Sequence, residues 1–96
     1  MTLLPRIAAV VPVIQGVLKV VFTDGYEGVV DLRPIIDKGR AFTWLQQPDN
    51  FQKVEIDEFG HSVRWINAAG QEIDISADSL RRDAQLQEEQ HRLSAR

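Results

Sequence analysis

The residues of this chain with chemistry to offer are few: His61 and His91, Ser76 and Ser79, and fourteen carboxylates, with no cysteine. Hydrolysis or group transfer needs a nucleophile or a metal with a positioned base. His61 falls in a turn and His91 in a polar run, 30 residues apart. Neither has a second ligand or acid at the spacing of a zinc site or a triad, and both read as solvated surface histidines. Ser76 and Ser79 read as a helix cap and a helix surface. Gly25, Gly28, Gly39, Gly60 and Gly70 stand singly at turns and strands, so no loop cradles a phosphate. Asp24 and Asp31 invite a divalent-cation reading, but further oxygen donors are missing; Asp24 is used by a turn and Asp31 bonds backbone at the start of Arg33-Pro34. The absence of cysteine removes thiol nucleophiles, thiolate metal sites and disulfides, and suits a reducing compartment. The expectation is no enzyme, no metal and no cofactor.

Binding is the chemistry that remains. Glu55, Asp57, Glu72 and Asp74 fall at alternate positions of short strands and project from one side, with Arg64 on the strand between them and Lys53 nearby. The ordinary explanation is cross-strand ion pairing around Arg64. The sharper one is an acidic docking surface for a small basic partner, because one arginine and one lysine do not neutralise four carboxylates.

Those carboxylates need a sheet to hold them. Leu18, Val20 and Phe22 alternate with Val17, Lys19 and Val21, and Val30 and Leu32 alternate with Val29 and Asp31, which predicts two strands. Asp24-Gly25 between them predicts a two-residue type I′ turn with both residues at positive φ. Residues 3–14, rich in Val and Ile but containing Pro5 and Pro12, read as an edge or outer strand that turns back at Gln15-Gly16. Pro34-Ile35-Ile36-Asp37-Lys38-Gly39 reads as one helical turn opened by proline and stopped by glycine. Phe42, Trp44 and Leu45, then a short turn at residues 48–51 with Phe51 facing inward, form a lid. Three alternating strands follow, at residues 53–57, 62–66 and 72–75, with Val63 and Trp65 on the buried face and Gly60 and Gly70 in the loops.

Ser76 is an N-cap, and residues 77–93 have no Gly or Pro, so a helix is expected there. Its apolar stripe is thin: Leu80 and Ala84 at i, i+4, then Leu86 and Leu93 seven apart on a partly overlapping side. The helix is expected to outrun the core, and Leu80, Ala84, Leu86 and Leu93 to offer a pairing surface to a partner or a second copy.

The 96 residues make one domain, divided at residue 80 into an α+β body (1–80) and a polar helical extension (81–96). The net charge is -3, and residues 51–79 hold two positive against six negative charges, which opposes a phosphate-backbone footprint there. Arg81-Arg82 with Arg92 and Arg96 stand against Asp83, Glu88 and Glu89, a net of only +1, so direct nucleic-acid binding is not expected. The longest apolar run, Ile7–Ile14, is eight residues, against the roughly 20 needed to span a bilayer, and no small-residue cleavage site follows it. A cytoplasmic protein is expected.

The ordered motifs resemble a small, mostly bacterial family catalogued as domain of unknown function 2442. They are Leu18-x-Val20-x-Phe22-x-Asp24-Gly25, Val30-Asp31-Leu32-x-Pro34-Ile35-Ile36, Gly39-x-x-Phe42-x-x-Leu45, Phe51-x-x-Val54, Gly60-x-x-Val63-x-Trp65 and Asp74-Ile75-x-Ala77-Asp78-x-Leu80. The departure is at Trp65-Ile66-Asn67-Ala68-Ala69-Gly70, where the family tends to a shorter Trp-Pro-Asn-Gly turn. The resemblance implies an α+β fold with antiparallel sheet and brings no catalytic residues. It implies regulatory or antitoxin-like partners of small proteins; some members resemble fusions to a helix-turn-helix domain, which this chain has no room for after residue 80. The expected architecture is an α+β fold: antiparallel sheet of about six strands in two meanders, short helical lid segments and a C-terminal helix. The expected function is a non-enzymatic interaction module. The alternatives are a structural domain self-associating through its last helix and, from another class, a small-metabolite enzyme.

Overall fold

The computed structural model describes residues 5–94, with the side chains of residues 40, 41 and 91–94 outside the description. Two antiparallel three-stranded meanders carry the fold. The first is β1 (Ile7–Ile14), β2 (Val17–Phe22) and β3 (Glu27–Asp31), and the second is β4 (Glu55–Ile56), β5 (Ser62–Ile66) and β6 (Glu72–Ser76). Between them lie α1 (Arg33–Lys38), a 3₁₀ segment (Arg40–Gln46) and α2 (Pro48–Phe51), and α3 (Ala77–Ser94) closes the chain. The α+β class, the two meanders, the lid segments and the terminal helix follow the expectation; the meanders form two sheets rather than one ladder. No helix among the described residues is long and apolar enough to cross a membrane.

The central hairpin differs from the expected turn. Gly25 N–H donates to the Phe22 carbonyl (3.0 Å) and Phe22 N–H to the Tyr26 carbonyl (2.8 Å), so the loop is three residues, Thr23-Asp24-Gly25. Gly25 alone is left-handed (φ 93°), and no described non-glycine residue has positive φ. A type I′ turn would place Asp24 in the left-handed region at a cost of about 1–2 kcal/mol. The three-residue loop avoids that and leaves the Asp24 carboxylate accepting the Tyr26 N–H at 3.1 Å.

β4 is likewise shorter than residues 53–57. Lys53 N–H still donates to Asn50 and Val54 N–H to Phe51 as the chain leaves α2, so neither joins a ladder. Asp57 already begins the next loop.

The inner faces of both sheets meet over one core. Leu18, Val20, Phe22, Val30 and Leu32 come from the first sheet, Val63 and Trp65 from the second, Ile36, Leu45 and Phe51 from the lid, and Ala77, Leu80 and Ala84 from α3. The sheets touch where Ile7 N–H donates to the Gly60 carbonyl at 2.7 Å.

α3 is held more firmly than its apolar stripe suggests. Its N-terminus is capped as expected, Ser79 N–H donating to Ser76 Oγ (3.1 Å). Leu80 and Ala84 are buried, and Ala84 sits so close to β3 that a Cβ on Gly28 would lie 2.7 Å from its own. Polar groups fasten the next turns. The Arg81 guanidinium lies 4.2 Å from the Tyr26 ring centroid and 3.0 Å from the Asp24 carboxylate. Tyr26 Oη donates to Glu88 at 3.0 Å. The Gln87 side-chain carbonyl accepts the outward-facing N–H of Asp31 at 2.9 Å, so the helix closes part of the β3 edge. The boundary drawn at residue 80 thus falls inside a helix packed on the sheet as far as Glu88. Leu80 and Ala84 belong to this chain's own core, which removes them from the expected pairing surface. Leu86, two positions from Ala84 and so about 200° round the helix, is 50% exposed. The Leu93 and His91 side chains lie outside the described residues.

Candidate interaction surfaces

The second meander brings together the carboxylates that its alternation singled out. Glu55, Arg64 and Asp74 are register partners across β4, β5 and β6 and form one transverse row on the outer face. Arg64 Nε donates to Glu55 at 2.8 Å and Nη1 to Glu72 at 3.3 Å. These contacts, led by the bond to Glu55, hold the guanidinium firmly protonated, above its ordinary range. One arginine thus bridges two glutamates, while Asp74 adds a third negative charge to the row. The ion pairing expected around Arg64 is present, to Glu55 and Glu72.

Asp57 has a different use. Its carboxylate accepts the N–H groups of Phe59 (3.0 Å) and His61 (2.8 Å) and the Ser62 hydroxyl (3.3 Å), folding the loop that carries Gly60. Partial desolvation pushes its carboxyl up, and the His61 and Phe59 N–H groups outweigh it, leaving it below the ordinary 3.8. Asp24 is lowered by the Tyr26 N–H and Arg81, and Asp31 by Arg33. Because these folded-state values lie below the unfolded ones, their contribution is present above about pH 4 and is lost as pH falls through the folded values. Urea midpoints are expected to stay level from about pH 7 to 5 and to drop below about pH 4. Asp57→Asn should be less stable at neutral pH and show a shallower acid decline.

The candidates for catalysis stay apart. Asp24 is at the hairpin tip with Arg81, and Asp31 at the far end of β3 with Arg33, so the two carboxylates do not share a cation site. His61 is exposed beside Phe59, and its carbonyl accepts the Ala77 N–H at 2.7 Å. Among the described residues no three His, Cys, Asp or Glu side chains converge as a metal would require. A groove of about 490 Å³ runs along β3, lined by Lys19, Glu27, Gly28, Val29, Ala84, Gln87 and Glu88. It offers no histidine, serine or cysteine, and its lysine is paired with Glu27 at 3.4 Å. Trp65 is wholly buried, and Trp44 is half-buried in the lid with Lys53 5.9 Å from its ring.

Sequence reasoning did not single out the outer face of the first sheet. Val11, Lys19 and Val29 lie in register across β1, β2 and β3, with Ala9, Val21 and Glu27 on one side and Ile14, Val17 and Asp31 on the other. Val11, Ile14 and Val29 are 55%, 56% and 52% exposed. The signal was present: Val17, Val21 and Val29 fill half of the positions that alternate with the core ones in β2 and β3.

No curated protein and no solved structure matches the chain significantly. A protein family does, over residues 7–85, from the first residue of β1 into the buried half of α3. The match takes in both meanders, the lid and the Leu80–Ala84 contact, and the chain therefore belongs to the family described as protein of unknown function (DUF2442).

Proposed function

We propose that this chain is a non-enzymatic interaction module, a regulatory or antitoxin-like partner that receives a small basic protein on the acidic face of its second meander. The observation that carries the reading is the row Glu55, Arg64, Asp74 with Glu72 beside it: four charged groups on a rigid antiparallel face with a net charge of -2. A basic surface meeting it would find carboxylates already ordered by Arg64, and association would be steered and salt-dependent. The setting is bacterial and cytoplasmic, without membrane or nucleic acid as the primary partner. The test is affinity capture of the tagged full-length chain from its own host beside a Glu72→Lys, Asp74→Lys variant. A small basic protein retained by the parent chain, released by high salt and lost from the variant is the expected result. Equal retention by the variant removes the acidic face from the account.

The second reading, self-association through α3, loses two of its four contact residues to the core, since Leu80 and Ala84 are buried.

A further inference from the structure

The outer face of the first sheet is apolar, exposed and electrically balanced. Ala9, Val11, Ile14 and Val29, with the half-buried Val21, surround a single ion pair, Lys19 with Glu27 at 3.4 Å. Contiguous apolar surface of this kind marks an association site. We propose that this face packs against the same face of a second copy of the chain, about a two-fold axis that sets Lys19 of each copy against Glu27 of the other.

Three observations select this occupant. The first is charge. A face whose only central charges are one lysine and one glutamate is complementary to itself: the two-fold makes an alternating set of four, whereas a basic or acidic partner gains nothing there. The second is that both sheet edges resist strand addition. The Phe22–Tyr26 and Gly16–Leu32 hydrogen bonds fix the alternation along β2 and β3. Leu18 therefore directs its main-chain groups toward β3, and Pro12 opposite it turns its nitrogen outward, where no donor exists. β1 also carries register irregularities on both sides of this stretch. On β3 the Asp31 N–H is taken by Gln87. Association is left to the faces, as in stacked sheets about 10 Å apart. The third is area. Three strands spaced about 4.8 Å apart and about six residues long at about 3.3 Å each give a face of roughly 14 by 20 Å, about 280 Å², small beside the about 800 Å² per partner of a standard interface. The dimer is therefore a reversible, concentration-dependent one. It uses a different surface from the acidic meander face and does not rest on that face having a partner.

The charge arrangement makes the test specific. In sedimentation velocity on the full chain, the parent is expected to pass from monomer toward dimer between micromolar and millimolar concentration. Lys19→Glu places four carboxylates together in the dimer, and Glu27→Lys four ammonium groups, so each variant alone should need about tenfold or more higher concentration to associate. An equimolar mixture of the two should form a heterodimer, and the K19E/E27K double variant should recover self-association. Far-ultraviolet circular dichroism on each variant confirms folding, which these exposed positions leave intact. A parent chain that stays monomeric throughout, single variants that associate like the parent, or a mixture that forms no heterodimer each overturns the proposal.

Discussion

Trp65→Ala is expected to leave the chain mostly unfolded in dilute buffer at room temperature. The Trp65 side chain is wholly buried between the sheets, and its ring stacks on Phe51 with centroids 5.7 Å apart. Its indole N–H donates to the Phe51 carbonyl at 2.8 Å, tying the second meander to the lid. Truncation removes the largest wholly buried side chain in the core and costs about 3–5 kcal/mol. It also removes the indole hydrogen bond to the Phe51 carbonyl, which keeps the Val54 N–H, for about 1 kcal/mol more. Domains of this size have about 5–15 kcal/mol in total, and small ones sit at the lower end. Trp65→Phe keeps a ring against Phe51 but loses the hydrogen bond and part of the buried volume, so it should fold with a loss of about 1–3 kcal/mol. Urea titration followed by circular dichroism measures both. A Trp65→Ala variant whose midpoint matches the parent would show that the lid and the second meander are stabilised elsewhere.

Gly60→Ala is the second change with a large expected effect, and Gly70→Ala is its control. Both glycines end hairpin loops of the second meander in the left-handed region, at φ 73° and 82°. Alanine there costs about 1–2 kcal/mol from backbone strain alone. Around Gly70 nothing lies within 4 Å, so that strain is the whole expected loss. At Gly60 a Cβ would lie 2.8 Å from the Ile7 carbonyl oxygen and 3.2 Å from its nitrogen, both backbone atoms that no rotamer change can move. The Gly60 carbonyl is also the acceptor that joins the sheets. Relief requires the sheets to part, at a further cost of about 1–3 kcal/mol, the usual scale for overpacking. The difference between the two variants in urea titration thus reports the strength of the joint. Equal losses would mean that β1 shifts freely against the loop.

Much of the fold was legible because it rests on contacts near in sequence. Alternation placed β2, β3, β5 and β6 because a strand with one buried face must repeat every second residue. Gly25, Gly60 and Gly70 marked loops because only glycine takes positive φ without cost. Ser76 marked the start of α3 because its hydroxyl caps a donor three residues on. The row of Glu55, Arg64 and Asp74 was legible for the same reason, since the hairpin register that aligns it is set by short loops. Asp57 was within reach too. Its two N–H partners lie at residues 59 and 61, the local pattern by which an aspartate folds a loop.

The amino-acid sequence by itself determined the class of the chain, its strands and their order, its capped last helix and its core tryptophan. Tertiary structure decided which residues the last helix spends on its own sheet and which face of the first sheet is left over. Gly28 with Ala84, Asp31 with Gln87, and Asp24 with Arg81 meet across 56 or 57 positions, a separation at which no periodicity or local propensity carries information. In β2 and β3, valines occupy half of the alternate positions as well as core ones. Alternation therefore names two apolar faces, and only the docking of α3 and the second sheet on one of them leaves the other open.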